Sequence, residues 1–465
     1  NCTIKSSFKN QMKISKLPYN RDSEKLFSFV VNEPWSIFLD SGYPRIDTGR
    51  YDIITAKPSI TLETYGKKTY ITSTNGKIIS EDDPFYLVRE YLGKKISNLS
   101  GLPFCGGALG YFSYDLSRRL ENIVDSTKQT IGMPDMAIGI YDWAIIIDHH
   151  IQKTWLVSFN RFDTTKIIWQ ELHDLFLGVP INNDKIFKIK SKLKSNLSKD
   201  EYAKAFNRIK NYIHDGDCYQ VNFAQHFSAE FEGDTWSVYK KLREFNPAPF
   251  SAYINLPTGA ILSSSPERFL CLTGNQVETK PIKGTKHRSV FAYEDKELAV
   301  SLLESEKDRA ENLMIVDLLR NDISKSCESG SVNVPKLFAL ETYSTVHHLV
   351  STISGTLAKN KDGIDLIREC FPGGSITGAP KLRSMEIIEE LEPDRRSIYC
   401  GSIAYIGFDG NMDSSICIRT LIYSKNKIHF FVGGGIVWDS TVDAEYKECF
   451  DKASAMLKIF ERKST

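Results

Sequence analysis

The chain has 465 residues, 41% hydrophobic and 25% charged, with a formal net charge of +1. That is globular composition, enough for one large or two moderate cores, and the near-neutral balance speaks against a dedicated nucleic-acid binder. Nine cysteines are scattered without a C-x-x-C pair, the pattern of free, mostly buried thiols in a reducing cytoplasm. No stretch approaches about 18 consecutive apolar residues, so no membrane span is expected. The first residues, Asn1-Cys2-Thr3-Ile4-Lys5, lack the apolar core of a signal peptide.

Residues 1–180 read as a strand-rich N-terminal region. β-branched and aromatic runs recur at Leu26 to Val31, Ile53 to Thr55, Thr69 to Thr72, Ala144 to Ile147 and Thr154 to Phe159, with turn signals such as Asn75-Gly76 between them. Helices are predicted at Asp83 to Leu92 and at Thr164 to Leu177, where Ile167, Ile168, Leu172 and Leu175 keep a helical period. Residues 181–197 form a polar linker or edge strand. There Lys188, Lys190, Lys192 and Lys194 alternate with Ile189, Ser191 and Leu193. An anion-binding strip is the functional alternative, but solvated edge lysines that block aggregation explain the pattern more simply. Ser198 and Glu201 make a capping box that opens the region 198–465.

In that second region helices are predicted at 198–214, 235–245, 305–322, 363–370, 380–391 and 442–462. Strands are predicted at Gly259 to Ser263, Arg268 to Leu272, Ser402 to Phe408, Ile416 to Ser424 and Lys427 to Val432. Adjacent strands joined by short turns, Asp409-Gly410 and Lys425-Asn426, are antiparallel grammar, so the predicted class is α+β.

Five clusters carry chemistry. Lys283 lies in Pro281-Ile282-Lys283-Gly284-Thr285; alone it reads as a solvated turn residue. Glu267, in Ser263-Ser264-Ser265-Pro266-Glu267-Arg268, ends one strand before the next and could act as a general acid or base, or simply pair with Arg268. The helix from Asp308 carries Glu311, a possible metal ligand, and Asp317, which aligns with Leu313 and Met314 and would need a partner if buried. Cys370 to Lys381 has glycines at 373 and 378 but Ala379-Pro380 where a phosphate loop needs Lys-Ser/Thr, so nucleotide binding is set aside. Its backbone N–H groups and hydroxyls remain a carboxylate cradle at a helix start. Gly433-Gly434-Gly435 after a strand would let a ligand approach closely, without dinucleotide spacing. On the last helix Tyr446, Phe450, Ala453, Leu457 and Phe460 form the expected core stripe. Glu445, Glu448 and Lys452 form another stripe; an ordinary i,i+4 surface pair is one reading and a metal carboxylate beside a substrate-binding ammonium the other.

Together these clusters resemble the chorismate-utilising enzymes, the family of anthranilate synthase component I, aminodeoxychorismate synthase component I and the isochorismate synthases. The segments are SSSPERF (263–269), PIKGT (281–285), RAENLMIVDLLRND (309–322), HHLVS (347–351), FPGGSITGAPK (371–381), YCGSIAY (399–405), MDSSICIRT (412–420), GGGIVWDS (433–440) and AEYKECFDKA (444–453). Weaker motifs lie at Pro34 to Gly42 and Phe104 to Tyr111. The resemblance implies large, mostly antiparallel sheets packed together with helices outside. It implies Mg²⁺ held by Glu311 and Glu448 with Glu445 close by, and a chorismate site lined by Gly284, Thr285, Thr377, Tyr399, Arg419, Gly433, Gly434, Gly435 and Lys452. Glu267 would be the general acid/base and His348 a polar partner beside the ring.

Within the family, the lysine loop resembles that of the branch that aminates chorismate at C4, toward 4-aminobenzoate and folate. Anthranilate synthase component I, the alternative, carries alanine in that loop. The resemblance makes Lys283 a covalent nucleophile at C2, which splits one difficult substitution into two. An ordinary lysine amine has a pKa of about 10.4, so such a nucleophile needs burial or a neighbouring cation. Ammonia needs a source. No G-x-C-x-G elbow is present, since Cys105 follows Pro103-Phe104, so a separate glutamine amidotransferase subunit is implied. Ser41 and Pro249-Phe250-Ser251 are similar to the family's tryptophan pocket, although Phe38-Leu39-Asp40-Ser41 departs from its LLES form.

Overall fold

The structure is a computed structural model describing residues 12–180, 185–343 and 346–460. The extreme N-terminus and the last two residues of the helix predicted at 442–462 lie outside these. The fold is α+β, as expected. Two antiparallel sheets, one 13-stranded and one 12-stranded, form its centre.

Strands of the first sheet bury both faces, and their sequences show why. Along Ala144–Asp148, Ala144 and Ile146 enter one core while Ile145 and Ile147 enter another. Ile37 and Phe38, and Ile53 and Ile54, divide the same way. Alternate side chains point to opposite faces, so a continuous apolar run serves two cores. One core contains inward residues of both sheets, such as Ile254 and Ile261 of the first with Leu109, Leu270 and Ile403 of the second. The other lies between the first sheet and the helices Asp163–Phe176, Lys199–His214, Thr235–Phe245 and Val442–Leu457.

Both sheets draw on both halves of the chain. Ser36–Asp40 pairs with Phe250–Leu256, and Gly107–Phe112 pairs with Ser402–Gly407. The polar segment between the halves contributes two short edge strands, Phe187–Ile189 and Lys194–Ser195, against Gln220–Gly233.

Two crossovers join the sheets side by side. Gly259–Ser265 belongs to the first sheet and Arg268–Thr273 to the second, so Pro266-Glu267 is the step between them. Met412–Ser415 returns through residues 416–419 to Thr420–Ser424. The steps are tied by Ile416 N–H to the Glu267 carbonyl at 3.1 Å and by Ser264 N–H to the Arg419 carbonyl at 3.0 Å.

Several expectations are corrected. Leu26 to Val31 is not a strand. Glu24–Phe27 is a short helix followed by turns, with Leu26, Phe27 and Val30 buried. Ile416 to Ser424 is interrupted by the crossover, where Arg419 has φ +49°. The glycines at 433–435 lie inside the strand Lys427–Ile436 rather than after it. Asp317 is exposed and pairs with Arg320; the buried acid of its helix is Asp322, bonded to Lys381 at 2.6 Å. On the last helix the most buried line runs through Glu445, Cys449, Ala453 and Met456, while Tyr446, Leu457 and Phe460 of the expected stripe pack against the same core and Phe450 stays 37% exposed. The helix Ala292–Glu304 was not foreseen: it buries little besides Leu302, so it carries no apolar period.

Arg396 knits the centre together. Fully enclosed, it bonds Glu392 at 2.6 Å and donates to the Ile376 carbonyl at 3.0 Å and the Asn222 carbonyl at 2.6 Å. Removing one partner strands the other charge in a dry interior. Arg396→Ala is expected to lower unfolding free energy by about 3–5 kcal/mol in urea denaturation; a change within about 0.5 kcal/mol, as at an ordinary surface position, would contradict this account.

Candidate active site

Glu267 sits on the first crossover, only 5% exposed. Burial pushes its carboxyl up to about 7, against the pull of the Ser375 hydroxyl, the Lys283 charge and the Ile282 N–H. It does not pair with Arg268, whose guanidinium turns to Asp413 at 3.0 Å and Glu278 at 2.9 Å.

Lys283 projects from the strand Ile282–His287, at the edge of the second sheet. Its Nζ donates to the Ser375 carbonyl at 3.2 Å, and its charge acts on both Glu267 and Glu311. The amine therefore stands between two carboxyls from different elements. Gly284 next to it has φ +92°, and a Cβ there would lie 2.9 Å from Leu302 and 3.0 Å from Asp308. Glycine lets the strand lie this close to the two helices beneath it.

Beyond Lys283, the Thr285 hydroxyl meets His348 Nδ1 at 2.9 Å across the strand pair. Burial, helped by Arg419, lowers His348 to about 4, so its ring is neutral at pH 7. Arg419 is solvent-accessible, yet the protein around it lowers its basicity by desolvation. No carboxylate among the described residues pairs with it. Such a guanidinium is suited to a bound carboxylate. Tyr399 is buried and stacks on Phe431 at 5.3 Å. The Thr377 hydroxyl is committed to the Gly373 and Gly374 carbonyls at 3.1 and 3.3 Å.

The helices Glu306–Ser324 and Val442–Leu457 bring Glu311 and Glu445 within electrostatic reach of each other. Burial raises both carboxyls. Asp308 and Glu445 add to the rise at Glu311, which Lys283 and Lys307 oppose, and Glu448 adds to that at Glu445. Glu448 pairs with Lys452 at 2.6 Å, and Lys452 also reaches the Gly433 carbonyl at 3.2 Å. Of the three glycines, Gly434 looks toward this group: a Cβ there would lie 3.2 Å from Glu445 Oε2. Gly433 and Gly435 are instead required by the neighbouring strand, where a Cβ would meet the Phe223 carbonyl at 2.5 Å or Gln220 Nε2 at 2.0 Å.

Among the described residues no group of three His, Cys, Asp or Glu could by itself hold a metal ion. Mg²⁺ does not require a cage; it takes one or two carboxylates and completes its shell with water and substrate oxygens. Buried, mutually repelling carboxyls with hard oxygen donors fit that habit.

Strand pairing brings Ser41 and Ser251 together, since Asp40 pairs with Ser251. The Ser41 hydroxyl and N–H both donate to Asp52 at 2.8 Å, and Asp52 also bonds His149 at 2.8 Å. Phe250 lies under Arg268 at 5.0 Å.

A family model described as chorismate binding enzyme matches residues 37–458. Aminodeoxychorismate synthase component 1 of Escherichia coli is 46% identical over 95% of this chain and 96% of its own length. Anthranilate synthase component 1 of Acetivibrio thermocellus is 37% identical over 89% and 87%. The crystal structure of anthranilate synthase component I from Streptococcus pneumoniae aligns with a TM-score of 0.79 at 32% identity, covering 88% of this chain and 92% of that one. The chain belongs to the chorismate binding enzyme family. Among its described residues no helix is long and apolar enough to cross a membrane, and the described cysteines are free.

The sequence gives Ser375 no role of its own, although its loop stands out; the contact of its carbonyl with Lys283 is visible only in three dimensions. The raised Glu267 carboxyl has a consequence for stability. Between about 4.5 and 7 the unfolded chain ionises this group while the folded chain keeps it protonated. The stability this gives is full below the lower value and lost as pH rises through the upper one. Glu267→Gln is therefore expected to be more stable than wild type at pH 8, by roughly 2 kcal/mol, with the gain vanishing near pH 4. Thermal denaturation at both pH values checks this.

Proposed function

We propose that the chain is the chorismate-aminating component of an aminodeoxychorismate synthase. It would convert chorismate and ammonia to 4-amino-4-deoxychorismate, the route to 4-aminobenzoate and folate. The observation that carries the reading is Lys283 in the cleft, its amine on the Ser375 carbonyl and its charge between Glu267 and Glu311. The family and the Escherichia coli relative supply the substrate class.

In this reading Arg419 holds a substrate carboxylate, and neutral His348, fixed by Thr285, lies beside the ring. Once its ammonium has released a proton to solvent, the Lys283 amine forms a bond to C2 as the C4–O bond breaks. Glu267, protonated in its buried site, gives its proton to the departing hydroxyl, which leaves as water. Ammonia then bonds to C4 and the Lys283 amine leaves C2. The carboxylate of Glu267 takes the proton that the new ammonium sheds, which restores the starting state. Glu311, Glu445 and Glu448 are the residues that would hold Mg²⁺, which when bound would supply positive charge to the ring carboxylate.

The relatives' designation as a component 1 goes with a second component. We assign that role to a separate glutamine amidotransferase that delivers ammonia, and place the pair in the cytoplasm. Anthranilate synthase component I is the other reading; relatives of that name are also similar, but Lys283 gives it no role.

The test is direct. Purified protein with chorismate, Mg²⁺ and ammonium should yield 4-amino-4-deoxychorismate; anthranilate as the product would reject the proposal. Lys283→Ala should abolish that product while chorismate still binds by calorimetry, and unchanged turnover would remove the covalent step. Glu267→Gln should slow turnover by about 10²–10⁴-fold, the usual loss of a general acid. Chelating Mg²⁺ with EDTA should stop turnover, and adding Mg²⁺ back should restore it.

A further inference from the structure

The packed face of the helix Glu306–Ser324 carries Asn312 beside Ile315, Val316 and Leu319. Asn312 is fully buried, and an amide in such a core costs free energy unless it is bonded. Its Oδ1 accepts the Ser351 hydroxyl at 2.5 Å, and its Nδ2 donates to the Leu349 carbonyl at 3.5 Å. Ser351, also fully buried, extends the line. Its hydroxyl accepts the Phe338 N–H at 3.1 Å, and its own N–H donates to the Pro281 carbonyl at 3.3 Å. Hydrogen bonds therefore run from the residue after Glu311 to the residue two before Lys283, by way of the strand that carries His348.

Lys283 stands where its strand has least support from the ladder. Ile282 pairs with Val350 and Thr285 with His348, so three steps on one strand face two on the other. That is a bulge at Lys283-Gly284, and a bulge leaves its extra residue unpaired. Strand pairing alone does not set where the lysine lies. We propose that Asn312, acting through Ser351, is a positioning residue for the amination: it pins the helix of Glu311 to the strand beside Lys283 and so holds carboxyl and amine in register. The inference rests on the functional reading above and deepens it. Apolar side chains at both positions would fill the same core at little net cost. What they would lose is a bond with one fixed geometry, at the place where the ladder is interrupted. The Lys283 charge acts on Glu311, so a shift of this helix against the strand changes that pair directly.

The experiment uses Asn312→Ala, Ser351→Ala and the double variant in the full chain. Three quantities are measured: kcat with chorismate, Mg²⁺ and ammonium, the chorismate Kd by calorimetry, and the folded fraction by urea denaturation. Each single substitution should lower kcat by about 10- to 100-fold, the cost of misplacing reacting groups by about 1 Å. The chorismate Kd should stay within about twofold, since the loss falls on the reacting geometry and not on binding. Because the two residues act through one bond, the double variant should lose no more than the worse single one. Folded variants with wild-type kcat overturn the proposal, because the bond is then purely structural. So do losses that multiply in the double variant, or a chorismate Kd that weakens as much as kcat falls. If Asn312→Ala does not fold, Ser351→Ala decides by the same kcat and Kd. Wild-type protein that fails to aminate chorismate overturns the functional reading instead, and with it this role for Asn312.

Discussion

The site depends on two chain crossovers between the large sheets. A sheet's interior has no room for a charged group without a partner; a crossover leaves the ladder and opens a gap between the two layers. Glu267 sits on one crossover and Arg419 on the other, and backbone bonds tie the two steps together. The arrangement puts a buried acid on one crossover and, on the other, a guanidinium with no carboxylate partner among the described residues. Arg419 takes a positive φ at this step, a local backbone cost that the crossed hydrogen bonds hold in place.

The carboxyls of the site differ in how far burial raises them. Glu267 is enclosed and held near neutrality, so it can exchange a proton around pH 7. Glu311 and Glu445 are raised by burial, and Glu445 adds to the rise at Glu311, which suits them to share a cation. Glu448 and Lys452 lie at the surface as an i,i+4 pair. The surface pair expected of that last helix is therefore present, while Glu445, one turn earlier, is buried.

Legibility in the sequence followed the strength of the local signal. Ala144 to Ile147 read correctly as a strand because a continuous apolar run buried on both faces has few alternatives. The capping box at Ser198 and Glu201 set a helix start that the structure reproduces. Leu26 to Val31 misled, since its β-branched and aromatic composition resembles a strand while its buried positions, Leu26, Phe27 and Val30, suit a turn of helix. Asp317 misled for a related reason. The helix has apolar residues on more than one face, and only packing chose the face that holds Asn312, Ile315, Val316 and Leu319.

The sequence by itself determined the fold class and the family, because motif residues and their order are properties of the chain. It could not say which of those residues share a space. Lys283 and the Ser375 carbonyl, 92 residues apart, meet only because the chain folds back on itself. Whether Glu267 holds a proton, whether Arg419 lacks a partner and which glycine faces the carboxylates were decided by tertiary structure alone. Each depends on desolvation and on neighbours brought from elsewhere in the chain, and neither quantity is written in local sequence.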